Sequence, residues 1–249
     1  MPDTDKPIRV GALGASRIAV RALIDPAKAR TDIVLAAVAA RDLGRAEAYA
    51  AEHGFERALE GYQALIDDPD IDVIYNGLPP IRHADLTIAA LKAGKAVLCE
   101  KPFAMNAGEA RAMVAAAEET GLLLMEAFHY RYHPMFARIL EVVRSGELGA
   151  LSRIDAAFDA TIADKPGELR YDASIGGGAL MDLGTYPVHW ARMVAGAERT
   201  ETFGRETTYA CQLDAFVAHL RAGTAPPTSG ADSIGQMVAI DAIRAKWGD

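Results

Sequence analysis

Lys101 follows directly on the apolar run Ala96–Cys99, within Glu100-Lys101-Pro102, and is one of only seven lysines beside nineteen arginines in 249 residues. If that run is a strand, the ammonium stands at its carboxyl end, on the edge of an open α/β sheet where ligands bind. The proline after it fixes the chain there and leaves the Lys101–Pro102 bond open to the cis isomer. Much further along, Asp182 and Tyr186 lie four apart in Gly178–His189 and so share one helical face, with His189 falling on much the same face. A cation, a carboxylate, a phenol and an imidazole are the groups that orient hydroxyls and move protons. The competing readings are a Glu–Lys surface pair at a strand end, worth little to stability, and a hydrogen-bonded core tyrosine and histidine. His129, His133 and Tyr130 read as packing and wall residues, and no spacing of His, Asp and Glu suggests a metal site.

These side chains need a scaffold, and the first half of the chain supplies a regular one. Short apolar or β-branched runs alternate with helical patterns, the signature of βαβ units around a parallel sheet. Strands are predicted at Ile8–Leu13, Ile33–Ala40, Ile71–Tyr75, Ala96–Cys99 and Leu122–Met125. Helices are predicted at Ile18–Ile24, Gly44–His53, Arg82–Ala93 and Ala107–Thr120, the last opened by Asn106. The alternation stops near Ala127–Pro134, so residues 1–127 are expected to form one domain and 128–249 a second. In the second, a helix is predicted from Pro134 to Ser145, a strand over Leu151–Phe158, a helix from the Gly176-Gly177-Gly178 turn to Val194, and helices over Tyr209–Arg221 and Ala231–Lys246.

The turn Gly14-Ala15-Ser16-Arg17-Ile18-Ala19 sits where strand one passes into helix one, the place where the pyrophosphate of a dinucleotide meets helix N-terminal amides. Against the G-x-G-x-x-G fingerprint only Gly14 matches, with Ser16 and Ala19 in the other two glycine places. Ala19 still allows close packing of helix on strand, and Ser16 offers a hydroxyl. An ordinary glycine-containing βα turn is the alternative. At the tip of strand two, an NAD site wants a carboxylate for the ribose 2′-OH. Here Ala40 is followed by Arg41, a planar cation suited to a 2′-phosphate, which favours NADP. NAD stays open if Arg41 is only a solvated charge and Asp42 reaches the ribose.

Composition narrows the partners. With 51% hydrophobic and 24% charged residues the chain is an ordinary globular protein, neither disordered nor a coiled coil. A formal charge of -8 provides no global field for nucleic acid or an anionic membrane. Cys99 and Cys211 make neither a disulfide framework nor a metal cluster, which points to a reducing cytosol. The polar start Met1–Lys6 and the lack of any apolar run near 18 residues predict a cytoplasmic protein with no membrane contact.

Four stretches together resemble the Gfo/Idh/MocA oxidoreductases. They are Gly14–Ala19, Tyr75-Asn76-Gly77-Leu78-Pro79 with His83, Ala93-Gly94-Lys95-Ala96-Val97-Leu98-Cys99-Glu100-Lys101-Pro102, and Gly176–His189. Glu126-Ala127-Phe128-His129-Tyr130-Arg131-Tyr132-His133-Pro134 looks like the branch that holds dihydrodiol dehydrogenase and NADP-dependent xylose dehydrogenase. The resemblance covers Ile8 to about Gly196 and resumes at Tyr209. It implies an N-terminal Rossmann sheet, doubly wound and parallel, followed by an α+β domain. It implies reversible hydride transfer between NADP and a hydroxyl or carbonyl carbon of a sugar, polyol or dihydrodiol.

Carried onto this chain, the family's D-x-x-x-Y pair falls on Asp182 and Tyr186, which with Lys101 become the catalytic residues. Tyr186 then passes the proton to or from the substrate oxygen, and Asp182 orients substrate hydroxyls or Lys101. A phenol is a poor base at neutral pH unless a cation favours the phenolate, and Lys101 is the candidate. The cofactor falls to Gly14, Ser16, Arg17, Ile18, Arg41, Leu78, Pro79, His83, Glu100 and Lys101. Tyr130, Arg131 and His189 are assigned to the substrate side, His189 also fitting a polar partner behind the face. The chain departs from the family between Gly196 and Tyr209, where members carry most of an antiparallel sheet that roofs the substrate and pairs across an oligomer. The second domain is therefore expected to be truncated. A homo-oligomer stays open, as does a non-catalytic NADP(H)-binding sensor or interaction protein.

Overall fold

The computed structural model describes residues 6–195 and 208–247. Its first half is built from β1 (Ile8–Leu13), α1 (Arg17–Ala19) running through a π-helical turn at Val20–Ile24 into α2 (Asp25–Lys28), β2 (Ile33–Ala40), α3 (Leu43–His53) and β3 (Arg57–Glu60). There follow α4 (Tyr62–Ile66), β4 (Val73–Asn76), α5 (His83–Lys92), β5 (Ala96–Cys99), α6 (Ala107–Thr120) and β6 (Leu124–Glu126). The six strands form one parallel sheet in the order β3-β2-β1-β4-β5-β6. The chain winds outward from β1 to β3 and then returns to β4, so a crevice opens between the carboxyl ends of β1 and β4. Register aligns Leu13 with Asn76, Asn76 with Cys99 and Cys99 with Glu126. Gly14, Gly77, Glu100 and Ala127 therefore leave the sheet along one edge.

The strands are apolar almost throughout because both faces are covered. One face packs against α4, α5 and α6, with Leu65, Leu91 and Met113 in its core. The other packs against α1, α2 and α3, with Leu23, Ile24 and Ala50. Helix starts are set by side chains that satisfy the first amides. Asp42 Oδ1 accepts from the Arg45 N–H at 2.8 Å and Asn106 Oδ1 from the Glu109 N–H at 3.0 Å.

The second half contains α7 (Pro134–Ser145), a π-helical turn at Leu180–Gly184 leading into α8 (Thr185–Ala195), α9 (Thr208–Ala222) and α10 (Ala231–Trp247). Leu213, Phe216 and Val217 of α9 enter the core on the α1/α2 face of the sheet, and Met237 and Ile240 of α10 enter the core on the other. Among the described residues no strand follows Glu126. The strand predicted over Leu151–Phe158 does not form: the segment is irregular, and Leu151 and Phe158 remain about half exposed. Among the described residues no neighbouring strand offers it a ladder, and a strand without one leaves its amides to solvent. Residues 197–207, most of the shortened interval, lie outside the described residues.

Candidate active site

The turn after β1 is built around Gly14, whose φ of +89° is a left-handed conformation that glycine adopts without strain. Its N–H donates to the Ala39 oxygen at 2.8 Å. A Cβ on Gly14 would lie 2.6 Å from Leu78 Cδ2, and one on Gly77 would lie 2.7 Å from the Tyr75 ring and 2.9 Å from Ser16 Oγ. The turns after β1 and β4 thus approach each other without room for a side chain. Ser16 begins the helix, its Oγ accepting from the Ala19 N–H at 3.4 Å, and Ala19 is fully buried as the third glycine place requires. Ile18 packs on the sheet core, while the Arg17 side chain is 90% exposed, 3.6 Å from Glu168. Arg41 is exposed at the tip of β2. Asp42 next to it is engaged as the start of α3.

Two residues without a sequence motif hold this turn from α3. Arg45 Nη2 donates to the Ala15 oxygen at 3.0 Å, and the Tyr49 hydroxyl donates to the Ser16 oxygen at 2.8 Å. Their spacing of four on one helix face was the available signal. Burial pushes the Tyr49 phenol up to about 12, so it stays a donor.

Behind the edge, His83 is fully buried with Nδ1 2.9 Å from the Pro102 oxygen and Nε2 2.8 Å from the Leu78 oxygen. It ties the turn after β4, with Leu78 and Pro79, to the turn after β5. This corrects its expected contact with a cofactor: the ring lies behind the loops, and its burial lowers its pKa. Glu100 is likewise buried, accepting from the Tyr75 hydroxyl at 2.8 Å, and burial raises its pKa. Both residues shape the edge from within.

Lys101 is delivered by the cis Lys101–Pro102 turn, the isomer left open by the sequence. Its partner comes from the glycine turn before α8. Gly176, at φ +94°, lies so close to Pro80 and Met105 that a Cβ would come within 2.5 Å of the proline ring. This contact seats the following π-helical turn against the sheet edge. Lys101 Nζ donates to the Asp182 main-chain oxygen at 2.6 Å and to Oδ1 at 3.2 Å, with both side chains largely buried. One turn on, Nζ stands 5.0 Å from the centre of the Tyr186 ring. The Tyr186 hydroxyl is 3.3 Å from His129 Nε2.

The electrostatics correct one expectation. Burial drives the Tyr186 phenol well above its ordinary value, and the charges of Glu100 and Asp182 push the same way. Lys101 Nζ lies over the ring, and the phenolate expected beside it does not form: Tyr186 stays a neutral phenol. His129 is pushed down to about 4 by burial first and by Lys101 second, so it is a neutral imidazole at physiological pH.

The residues assigned to the substrate side separate. His189 is fully buried, hydrogen-bonded through Nδ1 to the Tyr130 hydroxyl, 3.2 Å from Asp232 Oδ2 through Nε2, and stacked on Phe128 with ring centres 4.1 Å apart. Its burial rules out direct substrate contact in this arrangement and leaves the reading of a polar partner behind the face. Asp232, which also accepts from Arg192 at 3.2 Å, is the partner that sequence alone did not reveal. Desolvation would raise its pKa, but the His189 bond and the neighbouring arginines hold it below the ordinary range. Tyr130 stands with its ring centre 6.0 Å from that of Tyr186, and Arg131 lies over Phe136 at 5.8 Å. Among the described residues no group of His, Cys, Asp and Glu could hold a metal, and no helix is long and apolar enough to cross a membrane.

Comparison with known proteins shows the family. The Gfo/Idh/MocA oxidoreductase family, NAD-binding Rossmann fold, matches residues 8–128, and the Gfo/Idh/MocA C-terminal domain matches residues 136–225. The chain belongs to this family. It is 39% identical over 198 residues to dTDP-3,4-didehydro-2,6-dideoxy-alpha-D-glucose 3-reductase of Actinomadura kijaniata, a match covering 79% of this chain and 59% of the relative. It is 41% identical over 186 residues to D-xylose 1-dehydrogenase (NADP(+)) 2 of Haloferax volcanii, covering 75% and 57%. The chain thus spans less than two thirds of the length of these curated relatives. A solved 3-ketoreductase from Actinomadura kijaniata, in complex with NADP and TDP-benzene, superposes with a TM-score of 0.87 at 28% identity, covering 96% of this chain and 98% of that one.

Proposed function

We propose that the chain is an NADP-dependent oxidoreductase that transfers a hydride between nicotinamide and a hydroxyl or carbonyl carbon of a sugar, polyol or dihydrodiol. The observation that carries this reading is the double contact of Lys101 with Asp182, which joins the cofactor edge of the sheet to the helix bearing Tyr186. The cofactor fits the residues present: Gly14 and Gly77 leave a cradle that a Cβ would fill, the amides after Gly14 open a helix, and Arg41 is an exposed cation at the tip of β2. NAD is the alternative dinucleotide. On this reading Gly14, Ser16, Arg17, Ile18, Leu78 and Pro79 bind the dinucleotide directly. Residues 1–127 hold it, and residues 128–249 form the shortened substrate and oligomerisation unit of a cytoplasmic enzyme.

When bound, the nicotinamide supplies or accepts the hydride at C4. The chain supplies the rest. Lys101 donates to the reacting oxygen and draws charge onto it, while Asp182 keeps the ammonium in place. As the carbonyl is reduced, the Tyr186 O–H bond breaks and its proton goes to the developing alkoxide. The neutral phenol has the proton that this direction needs. The relatives, a reductase and a dehydrogenase acting on sugars, support the enzyme over a protein that only holds NADP(H).

The test is NADPH fluorescence titrated into the purified chain, followed by aldoses, inosose-type ketones, diketones and a nucleotide-linked ketosugar. Binding followed by substrate-dependent loss of signal, abolished in Tyr186→Phe with NADPH affinity intact, is the expected result. Binding without any loss of signal in the wild type would leave a cofactor-holding protein, and no binding would overturn the reading altogether.

A further inference from the structure

We infer that His129 is a positioning residue for the proton transfer at Tyr186, an inference that rests on the oxidoreductase reading. His129 leaves β6 two residues beyond Ala127, in the short helical turn His129–Tyr132, and its ring is clamped against Tyr209 with centres 4.3 Å apart. Its Nε2 is 3.3 Å from the Tyr186 oxygen, and the rings meet at 60°. Lys101 stands over the face of the same ring. The imidazole therefore meets Tyr186 at its oxygen and the ammonium meets it at its ring.

A phenol oxygen carries one hydrogen and accepts others. If Nε2 accepted that hydrogen, the phenol would have none to give to a substrate oxygen. With the hydrogen on Nε2, the imidazole donates to the Tyr186 oxygen and the hydroxyl hydrogen turns toward the cleft. During reduction the hydride and its electron pair reach the carbonyl carbon, and the π pair moves to oxygen. The Tyr186 O–H bond breaks as the product O–H bond forms, and the tyrosinate left behind keeps the Nε2–H donor until solvent returns its proton. The imidazole keeps its own proton throughout. Its nearness to Lys101, together with its burial, keeps it neutral, so it adds a hydrogen bond and no second positive charge.

Nitrogen-15 NMR of the histidine-labelled chain, with the His129 signal assigned by its loss in His129→Gln, reads the tautomer directly and needs no substrate. A protonated, pyrrole-type Nε2 is expected. A pyridine-type Nε2 overturns the inference whatever the kinetics show. In turnover, His129→Leu should lower kcat by about 100-fold with KM little changed, as removal of one preorganised donor does, and His129→Gln, which retains an N–H donor, should recover most of that loss. Equal losses in Leu and Gln variants, or a KM effect alone, would mark a packing role and overturn the inference. Failure of the oxidoreductase reading would appear instead in the wild type, as NADPH binding without turnover.

Discussion

Asp182 receives the Lys101 ammonium twice, on its main-chain oxygen at 2.6 Å and on its carboxylate at 3.2 Å. One cation thereby fixes the loop after β5 against the turn that begins α8. Replacing Lys101 by Met removes both the bond to Asp182 and the donor to the reacting oxygen. The expected outcome is a kcat lower by about three orders of magnitude, as for loss of an electrostatic stabiliser, with NADPH still bound. Steady-state kinetics beside fluorescence titration check it; a Lys101→Met enzyme within tenfold of wild type would remove the lysine from the chemistry.

Gly14→Ala tests the cradle. A side chain there must adopt a φ of +89° and meet Leu78 Cδ2 at 2.6 Å. Strain of this kind costs about 1–3 kcal/mol, so thermal unfolding should move to lower temperature and NADPH affinity should fall by at least about tenfold. Pairing it with Leu78→Ala should relieve the contact but not the backbone strain, and hence restore only part of the loss.

Variants of Arg41 and Asp42 test which dinucleotide is read at the tip of β2. Loss of a charge-assisted bond costs about 1.5–3 kcal/mol, so Arg41→Ala should weaken NADPH by about 10- to 100-fold and leave NADH alone. Asp42→Ala should cost about 1 kcal/mol of stability through the start of α3 without changing the preference. Titrating both nucleotides into both variants decides it: a drop in NADH affinity confined to Asp42→Ala would assign the ribose to the carboxylate.

Glu126, fully buried at the end of β6, has its carboxyl raised to about 8 by burial first and by the neighbouring charge of Asp232 second. The unfolded chain ionises near the ordinary value of 4.5, so between there and about pH 8 the folded state binds the extra proton. Stability is fully present below 4.5 and falls as pH rises through about 8, with a slope approaching 1.4 kcal/mol per pH unit. Urea unfolding across pH 5–9 should show this decline in the wild type and a flatter curve in Glu126→Gln. Parallel curves would place the titration elsewhere.

Much of the scaffold was legible because burial on both faces writes itself as unbroken apolar runs. Ile8–Leu13, Ile33–Ala40 and Ala96–Cys99 were read with their observed bounds. The edge strand Arg57–Glu60 was not: it has charged ends and a half-exposed pattern, and four residues carry too little periodicity. Lys101, Asp182 and Tyr186 were legible as a group because their motifs lie at one sheet edge and on one helix face. What escaped was set by tertiary packing. His129 beside the Tyr186 oxygen and Asp232 behind His189 each arrive from an element whose local pattern says nothing of its neighbour. The field at Tyr186 escapes for the same reason, since spacing reveals neither how deeply a phenol is buried nor which carboxylates stand near it.

The return of α9 and α10 onto opposite faces of the first sheet bears on how the chain acquires its structure. Phe216 and Ile240 lie far along the chain from the strands, yet they complete the apolar layers around them. Without α9 and α10 the apolar layers on both faces of the sheet stay incomplete, so the early strands depend for their burial on helices far along the chain. Synthesis of the first half alone leaves two apolar faces uncovered and open to aggregation.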